Sequence, residues 1–249
     1  MDGFKILGFA HICMILCILI CNICLLFLFK LYFKKSNQIS SNKFILLIIS
    51  LTTILSEAVL DLYLVVKLHY NILYYLPLHL CGIGYFIHLG IAVTMQPHKK
   101  IIRIFHASLS EISMILIGPA AFITLFFPDW SNLKLTSYQS IQGFISHGLL
   151  ILFPSILLFF KISYPDIKHS WYNIAFLVII AIPIHYFNKY SGCNYLFLES
   201  PIKNTPLELM ADIAGRKNYI YCLIIFITII VSLEYLIFGF IHMNKFKNR

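Results

Sequence analysis

Seven long apolar runs constrain this chain more than any other feature. They cover about residues 6–29, 44–66, 72–93, 109–127, 140–160, 171–187 and 219–241. A helix that crosses the hydrocarbon core of a bilayer needs about 17–25 such residues. Hydrophobic residues make up 60% of the 249 positions and charged residues only 12%, against about 45–50% and about 25% in soluble domains. Mean hydropathy is +0.86. These values exclude an ordinary soluble enzyme. The fold class expected is an all-α membrane protein, a single bundle of seven transmembrane helices over residues 1–249. No internal repeat or domain boundary interrupts it. The run at 6–29 is too long for the apolar region of a signal peptide and is expected to be the first span.

The net charge of +9 does not indicate nucleic acid, because the basic residues lie in short segments between apolar runs. There they act as topology determinants and contacts for anionic lipid. Twelve Lys and Arg follow odd-numbered spans and seven lie on the other side. The positive-inside rule then places the N-terminus outside and the C-terminus in the cytoplasm, in the plasma (cytoplasmic) membrane. Residues 188–218 form the one sizeable connection. Thr205, Pro206 and Glu208 occupy N-cap, N1 and N3 of a capping box, and Gly215 suits the stop. They predict a short amphipathic outer helix at 206–214, with Leu207, Met210, Ala211, Ile213 and Ala214 on its apolar side. Four of the seven cysteines, Cys13, Cys17, Cys21 and Cys24, form a stripe on the first span, expected to pack as small hydrophobes.

Ionisable residues inside spans mark candidate function. Glu57 and Asp61 lie one turn apart on the second span. The third carries Pro77, His79, Cys81, Tyr85 and His88. Residues 81, 85 and 88 share a face, with His79 nearly opposite unless Pro77 distorts the turn. The fifth carries Gln142, Ser146 and His147. At about 1.5 Å per residue, Cys81, His147, Glu57 and Asp61 all fall roughly 10–16 Å below the outer end. A His that takes the proton of a thiol makes it a competent nucleophile, and a carboxylate behind the His fixes its tautomer. Such a set suits acyl transfer from a lipid ester. It requires no metal or organic cofactor, and no zinc-type spacing occurs in the sequence. The substrates would be membrane lipids. The competing expectation is a small transporter or lipid-binding protein, in which Glu57 and Asp61 are the functional pair and Cys81 is packing.

The order of several motifs adds to this. Leu76–Pro77–Leu78–His79–Leu80–Cys81 is followed by Phe127–Pro128–Asp129 and by Gln142–Gly143–Phe144–Ile145–Ser146–His147–Gly148. Asn188 then precedes Gly192–Cys193–Asn194–Tyr195–Leu196–Phe197–Leu198 and Pro201. Over about residues 40–240 the chain resembles the YwaF-type integral membrane family of bacteria. Its eukaryotic relatives include a transmembrane cysteine acyltransferase that moves polyunsaturated acyl chains onto lyso ether phospholipids. The resemblance implies a seven-helix fold with Cys81 as active centre and His147 as its partner. It also implies structural or substrate-orienting roles for Asn188, Asn194 and Tyr195.

Overall fold

The structure is a computed structural model that describes residues 3–33, 38–95, 99–203 and 205–247. Its helices are α1 (Phe9–Phe33), α2 (Gln38–Leu68), α3 (Leu80–Val93), α4 (Lys100–Ile112), α5 (Gly118–Phe126), α6 (Tyr138–Phe159), α7 (Ser170–Ser191), α8 (Pro206–Ala214) and α9 (Tyr219–Lys247). There is no strand among the described residues. The chain folds as two compact units, Met1–Ser163 and Tyr164–Arg249.

Six helical stretches among the described residues are long and apolar enough to cross a membrane: Phe9–Tyr32, Asn42–Leu68, Lys100–Phe126, Tyr138–Phe159, Ile167–Ser191 and Arg216–Phe240. The expected third span is the exception. Of the apolar run 72–93, only Leu80–Val93 is α-helical, 14 residues. That is about 21 Å of helix against a hydrocarbon core of about 30 Å. The cause is local. Pro77 has no N–H to donate and holds Leu76 out of helical geometry. Upstream, Asn71 caps a single 3₁₀ turn at Ile72–Tyr74 by accepting the Leu73 N–H at 3.0 Å. The fourth span differs in the other direction. Its helix begins at Lys100 rather than near residue 109, because long basic side chains leave their heads in water while their stems lie along apolar surface. It runs through a π-helical turn at Ser113–Ile117 into α5. Pro119 cannot donate to the Ile115 carbonyl, and the ladder re-forms one residue out of step, Gly118 N–H bonding Ser113 O.

In the first unit α6 is the hub, packing on α1, α2 and α5. Its residues Leu150, Phe153, Ile156 and Leu157 are wholly buried. α1 approaches it at Gly148, where an added Cβ would stand 2.7 Å from Ile18 Cγ2. Asn22 Nδ2 donates to the Gly148 carbonyl at 2.9 Å. Small residues at crossings and side-chain to backbone bonds are how helices hold together without a hydrophobic driving force. The outer side of α1 presents Ile12, Leu16, Ile20, Ile23 and Phe27, as lipid demands. Cys13, Cys17, Cys21 and Cys24 lie on this exposed surface. The cysteine stripe therefore does not pack into the core, contrary to expectation, because α1 turns its Asn22 face to α6 and the thiols away from it.

The second unit holds α7, α8 and α9. Asn173 Nδ2 donates to Tyr235 Oη at 2.8 Å, tying α7 to α9. The short amphipathic helix forms at Pro206–Ala214. Thr205 Oγ1 accepts the Leu207 N–H at 3.2 Å, and Gly215 leaves the helix at φ +80°. Ala211 is buried with Tyr219 and Leu223 of α9, and Leu207 packs against them. Ile213, expected on the same side, is 79% exposed, because it lies two residues beyond Ala211 and so far round the helix.

Candidate functional site

The end of the first unit where α2 and α5 finish and α3 and α6 start collects polar side chains. Each element brings them for a reason visible in its sequence. On α2, Glu57 and Asp61 are one turn apart, and the charge of Glu57 acts on Asp61. The other polar residues of that stripe are already satisfied. Ser50 Oγ and Thr53 Oγ1 donate to the carbonyls of Leu46 and Ile49 on their own helix.

α3 begins at Leu80, so His79 is its N-cap residue, in extended geometry, and its side chain makes no cap bond. Cys81 is therefore the second residue of a helix. The turn that Pro77 breaks is why His79 does not lie on the opposite face of α3. His147 of α6 is the titratable group that disfavours a charge on it. Cys81 is half-buried, not sealed into the core. The Thr124 hydroxyl lies beside its sulfur, and Asp129 and Glu57 are the carboxylates that act on it.

α6 supplies the connections. Gln142 Nε2 donates to Glu57 Oε2 at 2.8 Å and more weakly to Ser56 Oγ at 3.4 Å. Tyr85 Oη donates to the same Glu57 oxygen at 3.3 Å. Tyr85 also bonds the Ser146 side chain and interacts electrostatically with the Cys81 thiol. One carboxylate of α2 is thus held by α3 and α6 together, and one tyrosine joins the cysteine's helix to the residue before His147. His147 Nδ1 stands 2.7 Å from the Gly143 carbonyl. A carbonyl only accepts, so Nδ1 carries the proton and Nε2 keeps the lone pair of the neutral ring. That is the arrangement a general base needs.

The segment after α5 closes this end. Trp130 packs on His147 with ring centroids 5.1 Å apart and on Phe144 at 5.7 Å. An added Cβ on Gly143 would stand 2.9 Å from the Trp130 ring, so only glycine permits the contact. Asp129 is exposed in surface terms, yet protein atoms crowd its carboxyl. Burial pushes that carboxyl above the usual range, while backbone N–H groups at Asp129 and Trp130 pull it down. The N-terminal segment braces the loop: the Phe4 N–H bonds Leu133 O at 3.2 Å. His11 accepts the Leu7 N–H at Nδ1 and bonds the Leu125 carbonyl through Nε2, both at 2.9 Å.

Of the residues singled out from the sequence, Glu57, Asp61, His79, Cys81, Tyr85, Gln142, Ser146 and His147 come together here. His88 does not belong to this group. It stacks on Phe153 at 3.9 Å and bonds Ser113 Oγ at 2.9 Å, two turns further along α3. In the second unit, Asn188 clamps the backbone of Tyr195. Its Nδ2 donates to Tyr195 O and its Oδ1 accepts the Tyr195 N–H, both at 2.9 Å. Asn194 Oδ1 accepts the N–H groups of Glu199 and Ser200. Both asparagines satisfy a loop that has left its helix at Gly192, φ +73°. His185 Nδ1 meets Glu199 Oε1 at 2.7 Å beside it. Sequence reasoning missed Thr124, Trp130 and His11, which carry no spacing signal. Asp129 stood inside a quoted motif without a role. Among the described residues no group of three or more His, Cys, Asp or Glu is placed to hold a metal ion.

No curated protein and no solved structure matches the chain significantly. One family model does, over residues 6–236, and its description is the TMEM164 family.

Proposed function

The chain belongs to the TMEM164 family of membrane proteins, and from that membership and the polar cluster we propose that it is a membrane-embedded lipid acyltransferase. Cys81 is the nucleophile and His147 the base. The finer kinship, to the YwaF-type bacterial branch, is part of the same proposal.

The observation that carries the reading is the 2.7 Å approach of His147 Nδ1 to the Gly143 carbonyl, which assigns the ring proton to Nδ1. With Nδ1 committed to the Gly143 carbonyl, Nε2 is left to accept a proton. The base shares its surroundings with Cys81: Tyr85, on the helix of Cys81, bonds the Ser146 side chain and interacts electrostatically with the thiol, and His147 acts in the same way on His79, two residues before Cys81. The thiol gives its proton to Nε2 as sulfur attacks the carbonyl carbon of a lipid ester. A C–S bond forms and the carbonyl pair moves onto oxygen. When that pair returns, the C–O bond to the lysolipid breaks and Nε2–H protonates the leaving alkoxide. A lipid alcohol then loses its proton to Nε2 and attacks the thioester, and the thiolate leaves and is reprotonated. Glu57, held by Gln142 and Tyr85, is a positioning residue.

The test is acyl transfer between a phospholipid donor and a lysolipid acceptor by purified protein. Wild type transfers label, Cys81→Ser folds and does not. Transfer undiminished in Cys81→Ser contradicts the reading. Loss of function in Glu57→Gln or Asp61→Asn with Cys81→Ala tolerated would replace it with the transport reading.

A further inference from the structure

Trp130 keeps a buried donor that nothing uses. Its Nε1 is closed off from solvent and no acceptor among the described residues takes its hydrogen. Buried tryptophan N–H groups ordinarily find a partner. An unmade bond of this kind costs about 1–3 kcal/mol, so its retention points to an acceptor that comes and goes. Position says which. The Trp130 ring lies on Gly143, the residue whose carbonyl orients His147, and is in contact with His147 itself. The residue before it, Asp129, is one of the charges that reach Cys81.

A second observation lies on α3. Cys81 is at the second position of that helix, and the His79 side chain does not cap it. The first-turn N–H groups have no partner within the helix and carry the positive end of its dipole. The nucleophile is thus attached to a helix N-terminus, and an unbonded indole donor stands beside its base.

Acyl transfer is the chemistry that needs such donors, because attack on an ester places negative charge on the carbonyl oxygen. We propose that Trp130 Nε1–H, with the first-turn amides of α3 at Cys81 and Gly82, forms the oxyanion hole of this site, so that Trp130 is a catalytic residue whose ligand is the carbonyl oxygen of a carboxylic ester. The inference rests on the acyl-transfer reading. When sulfur bonds the carbonyl carbon, the displaced pair on oxygen is held by these N–H groups. It returns to carbon as the leaving oxygen departs with the proton from His147.

The test separates oxyanion stabilisation from support of the base. Purified full-length protein is treated with the p-nitrophenyl ester of a medium-chain fatty acid, and nitrophenolate release and acyl-Cys81 are followed. In parallel Cys81 is alkylated with iodoacetamide, a displacement at saturated carbon that builds no oxyanion. Trp130→Phe keeps an aromatic ring, though a smaller one, and loses the N–H. The expected result is acylation slower by about 10²-fold, with alkylation within about twofold of wild type. Where Trp130→Phe does not fold, benzothienylalanine at position 130 puts sulfur in place of N–H at the same shape and must give the same split. Equal slowing of both reactions reduces Trp130 to a support for His147 and overturns the proposal. Acylation at the wild-type rate overturns it as well. If wild-type Cys81 is alkylated but never acylated, the acyl-transfer reading itself fails and this inference goes with it.

Discussion

Replacing Glu57 by alanine removes the acceptor that joins three helices, and the structure sets the size of the effect. Gln142 Nε2 reaches Glu57 Oε2 at 2.8 Å, a good bond, whereas Tyr85 Oη reaches it at 3.3 Å, long for an O–H donor. Gln142 and Tyr85 are 5% and 3% exposed, so water replaces neither bond in full. Bonds between helices in a membrane are worth about 0.6 kcal/mol on average and about 1.7 at most. Two of them give about 1–3 kcal/mol, and in a chain of this length about 2–4 °C of melting temperature per kcal/mol. Glu57→Ala should then lose about 2–12 °C. Glu57→Gln keeps an oxygen for both donors and should lose less than half as much. The assay is thermal loss of monodisperse protein in detergent, with a double-mutant cycle against Gln142→Ala. A coupling of at least about 0.5 kcal/mol is expected for residues in contact. Equal losses for the alanine and glutamine variants, or no coupling to Gln142, would refute the network. Glu57→Gln also keeps acyl-transfer turnover if Glu57 positions rather than transports.

Asn188→Ala removes the acceptor of the buried Tyr195 N–H, at about 1–3 kcal/mol, while the Tyr195 carbonyl keeps the Leu198 N–H at 3.4 Å. Limited proteolysis should cut residues 192–203 faster in this variant, and Asn188→Asp, which keeps the bond to the Tyr195 N–H, should fall between it and wild type. Asp129 gives a pH signature. Its carboxyl is raised above its unfolded value by burial, so its contribution to stability is fully present below the unfolded pKa of about 3.9 and is lost as pH rises through the folded value. Asp129→Asn should match wild type in acid and be the more stable protein at neutral pH, measured as melting temperature across pH. A variant less stable than wild type at neutral pH would reverse that sign.

Much of this was legible in residue order. Run length marked the helices, and residue type marked the short helix at Pro206–Ala214, whose cap chemistry is wholly local. The polar cluster was legible as a common depth, because α2, α3 and α6 each place their ionisable groups a similar distance from one end. The failures share a cause. Hydropathy does not record backbone geometry, so the run 72–93 reads as a span although Pro77 confines the helix to Leu80–Val93. Pro119 likewise puts a π turn where a continuous helix was expected. Which way a helix faces is also hidden: Cys13, Cys17, Cys21 and Cys24 lie exposed on α1, and His88 turns to Ser113 and Phe153 rather than to the cluster. Trp130 and Thr124 join the site through tertiary contact alone, which no spacing announces.

The most direct measurement is covalent. Solubilised wild type and His147→Ala are treated with a lipid-like, thiol-reactive acyl probe, and the labelled cysteines are mapped by mass spectrometry. Cys13, Cys17, Cys21 and Cys24, exposed on α1, serve as internal controls for ordinary thiols. The account predicts label on Cys81, lost when His147 is replaced. Label spread over the α1 cysteines, or label on Cys81 indifferent to His147, would contradict it.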